Sequence, residues 1–254
     1  MNRFLLFRLH GALAAWGDIA VGEQRPSTPH PSKSIVLGLV AAALGLKRED
    51  DDAHAALRDG YGFAVRVDSA GTPLRDYHTT QYPKTTSRLH HLRTRRDELA
   101  DSGNRATVLS TRDYRSDSLY VVGLYQRGLD NVPEPDTLAD ALRRPKFTLY
   151  LGRRSCPAAL PLAPRVIEAA DFKAALADYD EAARHDGQQA FLEDARVARL
   201  SSGCEYYWED GLPVGLESLQ STPRHDQPQS RARRQFAART EHYANQGGKE
   251  AWAT

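Results

Sequence analysis

The stretch that most constrains how this chain folds runs from Arg25 to Leu46. It reads Arg-Pro-Ser-Thr-Pro-His-Pro-Ser-Lys-Ser and continues as Ile-Val-Leu-Gly-Leu-Val-Ala-Ala-Ala-Leu-Gly-Leu. Pro26, Pro29 and Pro31 stiffen a polar loop, and an apolar helix pattern starts directly behind it. A Ser hydroxyl accepts from the orphan N–H groups of a first helical turn, so Ser32 or Ser34 can cap this helix. The 12 apolar residues are too few to cross a bilayer. Apolar on nearly every side, the segment is predicted to be a buried helix over 34–46. Lys33 then stands beside N–H donors at the positive end of the helix dipole, where an anion such as phosphate is at home. A capped core helix behind a Pro-rich turn explains the same residues without any ligand.

The formal net charge is only +1, but the charges are segregated. Five Lys or Arg and no acid lie between Lys84 and Arg96. Five Arg and a single acid, Asp226, lie between Arg224 and Arg239, whereas Glu168 to Asp194 carries eight acids against two bases. A neutral total therefore hides basic and acidic patches. Of the 34 cationic residues 28 are Arg. The planar fork of Arg suits phosphate, although an Arg- and Ala-rich chain is also what GC-rich coding yields. Cys156 and Cys204 are far apart and read as reduced thiols. The first ten residues alternate like a strand rather than a leader peptide, and a cytoplasmic protein is expected.

Taken in order, residues 3–9 predict a central strand, since both of its faces are apolar. Gly11 to Gly17 follows as a connector, with Trp16 either a core plug or a platform for a base. After the helix come a short helix over 53–58 and strands over 61–67 and 74–82. Residues 83–105 are basic and poor in large apolar side chains, which predicts a long excursion between two strands. Strands over 106–114 and 118–126 are expected around a turn at Arg115 to Asp117. A short helix over 137–143 precedes a strand over 147–151 that runs into Gly152-Arg-Arg-Ser-Cys-Pro157, a second candidate phosphate seat. An acidic helix over 171–184 and late strands near 206–208, 213–219 and 231–243 complete the pattern, with a frayed tail beyond 240. Interspersed strands and helices joined by hairpins indicate an α+β fold. Their order is compatible with a ferredoxin-like split βαβ unit, the topology of RNA-binding sheets of the RRM type.

No Walker A loop, G-x-G-x-x-G, G-x-S-x-G or zinc-spaced Cys/His cluster occurs. No cofactor and no metal site is expected. Tyr77, His78 and Lys84 could supply the acid and base of metal-free RNA cleavage, but nothing in their spacing compels it.

Five strings occur in order: Gly11-Ala-Leu-Ala-Ala-Trp-Gly17, Arg25 to Gly45, Leu109-Ser-Thr-Arg-Asp-Tyr114, Leu149 to Pro157, and Arg233-Arg-Gln-Phe236 with Arg239. On these the chain resembles the CasD family of subunits in the type I-E CRISPR surveillance complex, Cascade, within the RAMP superfamily. The resemblance implies a ferredoxin-like core over 1–240 with a protruding β-hairpin thumb at 83–105. An irregular C-terminal β extension and a tail over 241–254 complete the domain. It implies a non-catalytic subunit for antiviral DNA targeting that grips the 5′ handle of the CRISPR RNA and caps the backbone filament. A CasC-type backbone subunit, a CasA-type large subunit and target DNA would lie nearby, with no membrane. The matching positions imply handle contacts at Arg25, Ser32, Lys33, Ser34, Arg112, Tyr114, Arg153 and Arg154. Thumb contacts are implied at Lys84, Arg88, Arg93, Arg95 and Arg96. The alternative is a metal-independent endoribonuclease that processes CRISPR repeat RNA.

Overall fold

The computed structural model describes residues 1–84, 93–185 and 203–246. Its strands are β1 (Asn2–Ala14), β2 (Gln24–Arg25), β3 (Tyr61–Ser69), β4 (Thr72–Pro83), β5 (Arg105–Gln126), β6 (Arg165–Ala169), β7 (Cys204–Glu209), β8 (Gln220–Ser230) and β9 (Gln235–Gln246). Its helices are α1 (Lys33–Leu44), α2 (Asp51–Gly60), α3 (Arg95–Glu98), α4 (Pro135–Arg143) and α5 (Phe172–His185). Among the described residues nine strands join one mixed sheet, in the order β6-β1-β5-β3-β7-β9-β8, with β4 and the short parallel β2 attached to β5. Every other pairing is antiparallel.

The alternation in β1 explains the layering. Leu5, Phe7 and Leu9 enter the larger core with α1 and α4, while Phe4 and Leu6 enter a second core with Phe172, Leu176 and Tyr179 of α5. Successive strand residues point to opposite faces, so a strand apolar on both must lie between two helical layers, and β1 does. Trp16 is a plug: fully buried, it stands edge-on to Tyr120 with ring centroids 5.4 Å apart. Ser32 caps α1, its hydroxyl accepting from the Ile35 N–H at 3.3 Å. Gly45 closes the helix in the left-handed region at φ 79°.

Several expectations are corrected. β1 continues through Gly11 to Ala14, which the sequence suggested as a connector. The two strands expected around 115–117 are one strand of 22 residues, β5. Its distal half pairs with β4 and its proximal half with β1 and β3, so the ladder never needs to turn. Asp117, at φ 55°, marks the local irregularity that its polar sequence suggested as a turn. Residues 147–151 form no strand; the Lys146 and Phe147 N–H groups instead donate to carbonyls of Ala43 and Ala42 at the end of α1. Residues 213–219 also form no strand, and β8 begins only at Gln220. The segment 231–234 is the turn between β8 and β9, not strand. β6 was unforeseen. Residues 241–246 belong to β9, paired with β7, and Glu241 and Ala244 are buried there, so they are sheet rather than tail.

The described part of the excursion, residues 83–84 and 93–105, adjoins the β4–β5 pair, whose register runs from Thr72 opposite Ser116 to Pro83 opposite Arg105. It holds a short helical turn, α3, closed by a capping box between Thr94 and Asp97. Arg88 lies outside the described residues. The C-terminal strands extend the main sheet, and the β8–β9 hairpin then reaches α1 and α2. Asp226 accepts from the Lys33 N–H at 2.9 Å, Arg231 donates to the Ser34 carbonyl at 2.7 Å, and Ser230 donates to Asp51 at 2.9 Å.

Candidate nucleic-acid interface

The start of α1 is already occupied by the chain's own groups. Besides the Ser32 cap, the Lys33 N–H is taken by the Asp226 carboxylate. The Lys33 side chain is fully buried, with Nζ 3.0 and 2.9 Å from the two oxygens of Glu209. Glu209 also accepts from the Phe63 N–H at 3.1 Å and from Arg127 at 2.7 Å. Burial lowers the Lys33 ammonium pKa; Glu209 opposes that, and Arg127 and Arg239 lower it further. Lys33 therefore has neither a free N–H nor an accessible ammonium to offer a ligand. Its flexible stem carries the charge inward to an acid that the sequence placed 176 residues away. Ser32 is likewise buried and spent on its cap.

The same buried zone continues through the C-terminal hairpin. Arg239 donates to both oxygens of Asp226 at 2.6 and 2.9 Å and to Glu241 at 2.7 Å. His30, stacked on Tyr207 at 3.8 Å, lies 3.4 Å from Glu241, as Arg224 does at 3.5 Å. Burial alone would raise the Glu241 carboxyl, but His30, Arg239 and Arg224 hold it down at about 2.

Outside this network lies an open groove of about 830 Å³. Its lining takes Ala15 and Gly17 to Ala20 from the loop after β1, Arg25 and Pro26, and, from the C-terminal hairpin, Pro223 to Asp226, Arg234 and Phe236. Ser32, Ser34, Ile35, Gly152 and Arg153 complete the lining. The structure brings several expected residues together here. Arg25 and Arg112 are neighbours across the β2–β5 ladder. Arg25 is exposed, its guanidinium resting on the Gly22 and Gln24 carbonyls. Arg112 is half-buried and donates to Ser110 at 3.2 Å. Arg153 lies over the Tyr114 ring, 4.6 Å from its centroid, and donates to the carbonyls of Asp113 at 3.1 Å and Arg25 at 3.0 Å. Tyr114 is buried beneath it, so its contribution is to seat Arg153.

The double-arginine turn owes its shape to Gly152. At φ 85°, a Cβ there would stand 1.8 Å from the Ala15 carbonyl oxygen, so no other residue fits. The Leu151–Cys156 backbone bond of 2.7 Å closes the turn. It sends its two arginines to different places. Arg153 lines this groove, whereas exposed Arg154 lines a neighbouring one over α1. Lys84, Arg93, Arg95 and Arg96 are exposed near the hairpin tip and line neither groove; Arg95 pairs with Glu98 at 2.6 Å. Arg224, Arg234 and Phe236 were missed as site residues. The basic run from Arg224 to Arg239 was visible, but which of its members face outward depends on the β8–β9 turn.

Tyr77 and His78 do not converge. They are successive strand residues and face opposite sides of the hairpin; His78 lies 3.5 Å from Asp76. Among the described residues no group of three His, Cys, Asp or Glu could hold a metal ion, and no helix is long and apolar enough to cross a membrane.

Comparison with known proteins gives this geometry a family. The model of the CRISPR-associated protein family Cas5 matches residues 4–241. The "CRISPR system Cascade subunit CasD" of Escherichia coli (strain K12) is 30% identical over 258 residues, covering 98% of this chain and 99% of that protein. Among solved structures, a chain described as a CRISPR RNA-guided surveillance complex superposes with a TM-score of 0.59 at 23% identity, over 95% of this chain and 89% of that one. A Cas protein crystal structure superposes with a TM-score of 0.57 at 24% identity, over 97% and 96%. With a family match along nearly its whole length and a curated relative at that identity, the chain belongs to the CRISPR-associated Cas5 protein family.

Proposed function

We propose that the protein is a non-catalytic RNA-binding subunit of a type I-E CRISPR surveillance complex, gripping the 5′ handle of the CRISPR RNA and capping the backbone filament. The observation that carries this reading is the open groove in which Arg25, Arg153, Arg224 and Arg234 line one channel. It lies in a chain whose E. coli relative is a Cascade subunit. Arg forks pair with phosphate oxygens two at a time, and an open channel suits a single strand. Arg25, Ser34, Arg112, Arg153 and Arg154 serve as handle contacts. Lys84, Arg88, Arg93, Arg95 and Arg96 serve the thumb, against a CasC-type neighbour. A CasA-type subunit and target DNA lie beyond, in a cytoplasmic ribonucleoprotein.

The element order supports a ferredoxin-like core of β1-α1-β3-β5-α4-β6, because β6-β1-β5-β3 is the antiparallel 4-1-3-2 order of a split βαβ unit. The β4–β5 hairpin is then the thumb of a single domain. The opposed faces of Tyr77 and His78 argue against the repeat-processing endoribonuclease.

The test is a salt titration of fluorescent CRISPR RNA binding, beside an EDTA incubation of labelled repeat RNA. Handle-dependent binding that weakens steeply with salt, and intact repeat RNA, are expected. Site-specific cleavage that disappears in His78→Ala would make the protein a nuclease.

A further inference from the structure

A second groove, of about 730 Å³, runs over the outer face of α1 between the 147–154 loop and the β8–β9 turn. Lys47, Arg48, Arg154, Arg231 and Arg234 line it, and among the described residues no acid does. Phe147 and Phe236 are each 47% exposed and Tyr150 is 39% exposed, and all three line the same groove. From this juxtaposition of aromatic faces and unopposed arginines we infer that the groove over α1 seats unpaired RNA bases, stacked on Phe147, Tyr150 or Phe236, with Arg48, Arg154 and Arg234 on the backbone. The inference rests on the RNA-binding function proposed above and extends it to a place the handle residues do not mark, apart from Arg154.

Three features support the assignment. The two grooves share Ser34, Ile35, Gly152, Arg234 and Phe236 in their linings. A strand leaving the first therefore passes Phe236 into the second. Next, α1 leaves room for a cation in its own flank: a Cβ at Gly38 would stand 3.1 Å from the Arg231 guanidinium, which hydrogen-bonds the Ser34 carbonyl. Finally, among the described residues no ion pair engages Arg231, whose guanidinium donates instead to the Ser34 carbonyl. Burial and, beside it, Arg48 push the Arg231 guanidinium pKa down, and burial with Arg231 does the same to His54. Asp50 and Asp51, which also act on His54, are engaged by the Lys47 N–H and the Ser230 hydroxyl. Bases stack on exposed aromatic faces regardless of sequence, and Arg adds charge along the same strand. An acidic peptide would answer the arginines but leave three ring faces without a planar partner.

The experiment uses the full chain and a fluorescent single-stranded RNA of about twelve nucleotides with 4-thiouridine at scattered positions. Photo-crosslinking with peptide mapping is run beside affinity and salt slope for wild type, Tyr150→Ala, and the Arg48→Ala/Arg154→Ala double variant. Crosslinks to Phe147 or Tyr150, which line only this second groove, are expected. Tyr150→Ala should lose roughly 5- to 150-fold in affinity, the range for one stacked base. The double variant should flatten the log–log salt slope by about 1.4 units, at about 0.7 per lost contact to a single strand. Wild-type binding with crosslinks confined to the Arg25–Arg153 groove, and both variants unchanged, overturns this inference and leaves the handle function standing. Absence of RNA binding by the wild type overturns both. If both variants keep RNA affinity but lose assembly with neighbouring Cascade subunits, the groove belongs to a protein segment and the RNA assignment is wrong.

Discussion

Two arginine-rich regions lie against the same helix, and they differ in whether the chain supplies the counter-charge. At the start of α1, the side chains of Lys33 and Arg239 are buried and each meets carboxylates within hydrogen-bond distance. Along its outer face, Arg48, Arg154 and Arg234 line an open groove with no acid in its lining among the described residues. The first region clamps the C-terminal hairpin onto the helix; the second is open to a ligand. A cation's role here is set by whether a strand far off in sequence delivers an acid to it.

The contrast breaks most visibly in stability. Glu209→Ala leaves the Lys33 ammonium buried with no carboxylate, a loss of about 3–5 kcal/mol. Arg48→Ala, at the open groove, is expected to stay within about 0.5 kcal/mol of wild type. Urea unfolding of the two variants makes the comparison. Equal midpoints would mean that the buried pair contributes nothing and that the two regions are alike.

Acid should dissolve the first region and spare the second. The Glu241 carboxyl is held at about 2 against an ordinary 4.5. A depressed carboxyl contributes stability in full above its unfolded pKa and loses it as pH falls through the folded value. Stability should therefore drop between about pH 4.5 and 2, by on the order of 3 kcal/mol from this group. Glu241→Gln should lower stability at neutral pH and flatten that acid limb in pH-dependent unfolding. An unaltered limb would show that other carboxyls carry it.

These pairings explain what was legible in sequence. The start of α1 and the two-faced β1 follow from local pattern, which narrowed the cap to Ser32 or Ser34 and Trp16 to plug or platform; the structure selects Ser32 and the plug. Asp226 and Glu209 were not, because nothing near Lys33 in sequence announces an acid brought by β7 or β8. The undivided β5 was hidden for a related reason: Arg115-Ser-Asp117 has turn composition, and only partners on both edges keep it extended. Of the candidate site, Arg25, Arg112 and Arg153 were readable as a cluster from their motif strings. The aromatic lining of the second groove was not, since Tyr150 and Phe236 meet only through the β8–β9 fold.

The double-arginine turn sharpens the comparison within two residues. Arg153 gives two hydrogen bonds to carbonyls and covers Tyr114, so Arg153→Ala should lower stability by about 1–2 kcal/mol as well as RNA affinity. Arg154 is exposed in the acid-free groove. Arg154→Ala should leave thermal unfolding unchanged and reduce the RNA salt slope by about 0.7 units. Identical behaviour of the two variants in both assays would contradict the division of roles.

The smallest effect tests whether the open groove has a rigid wall. Gly38 sits inside α1, where Gly costs about 1 kcal/mol relative to Ala. A Cβ there meets Arg231 at 3.1 Å, tighter than an ordinary contact, but the atom in the way is the end of a flexible side chain. If the guanidinium moves a few tenths of an ångström outward, Gly38→Ala gains most of the helix propensity and raises the unfolding midpoint slightly. If the Ser34 carbonyl holds it in place, the gain is cancelled and the midpoint falls. A rise marks Arg231 as a mobile cation available to a ligand in the groove. A fall places it with Lys33 and Arg239, among the charges that this chain has already spent on its own backbone and acids.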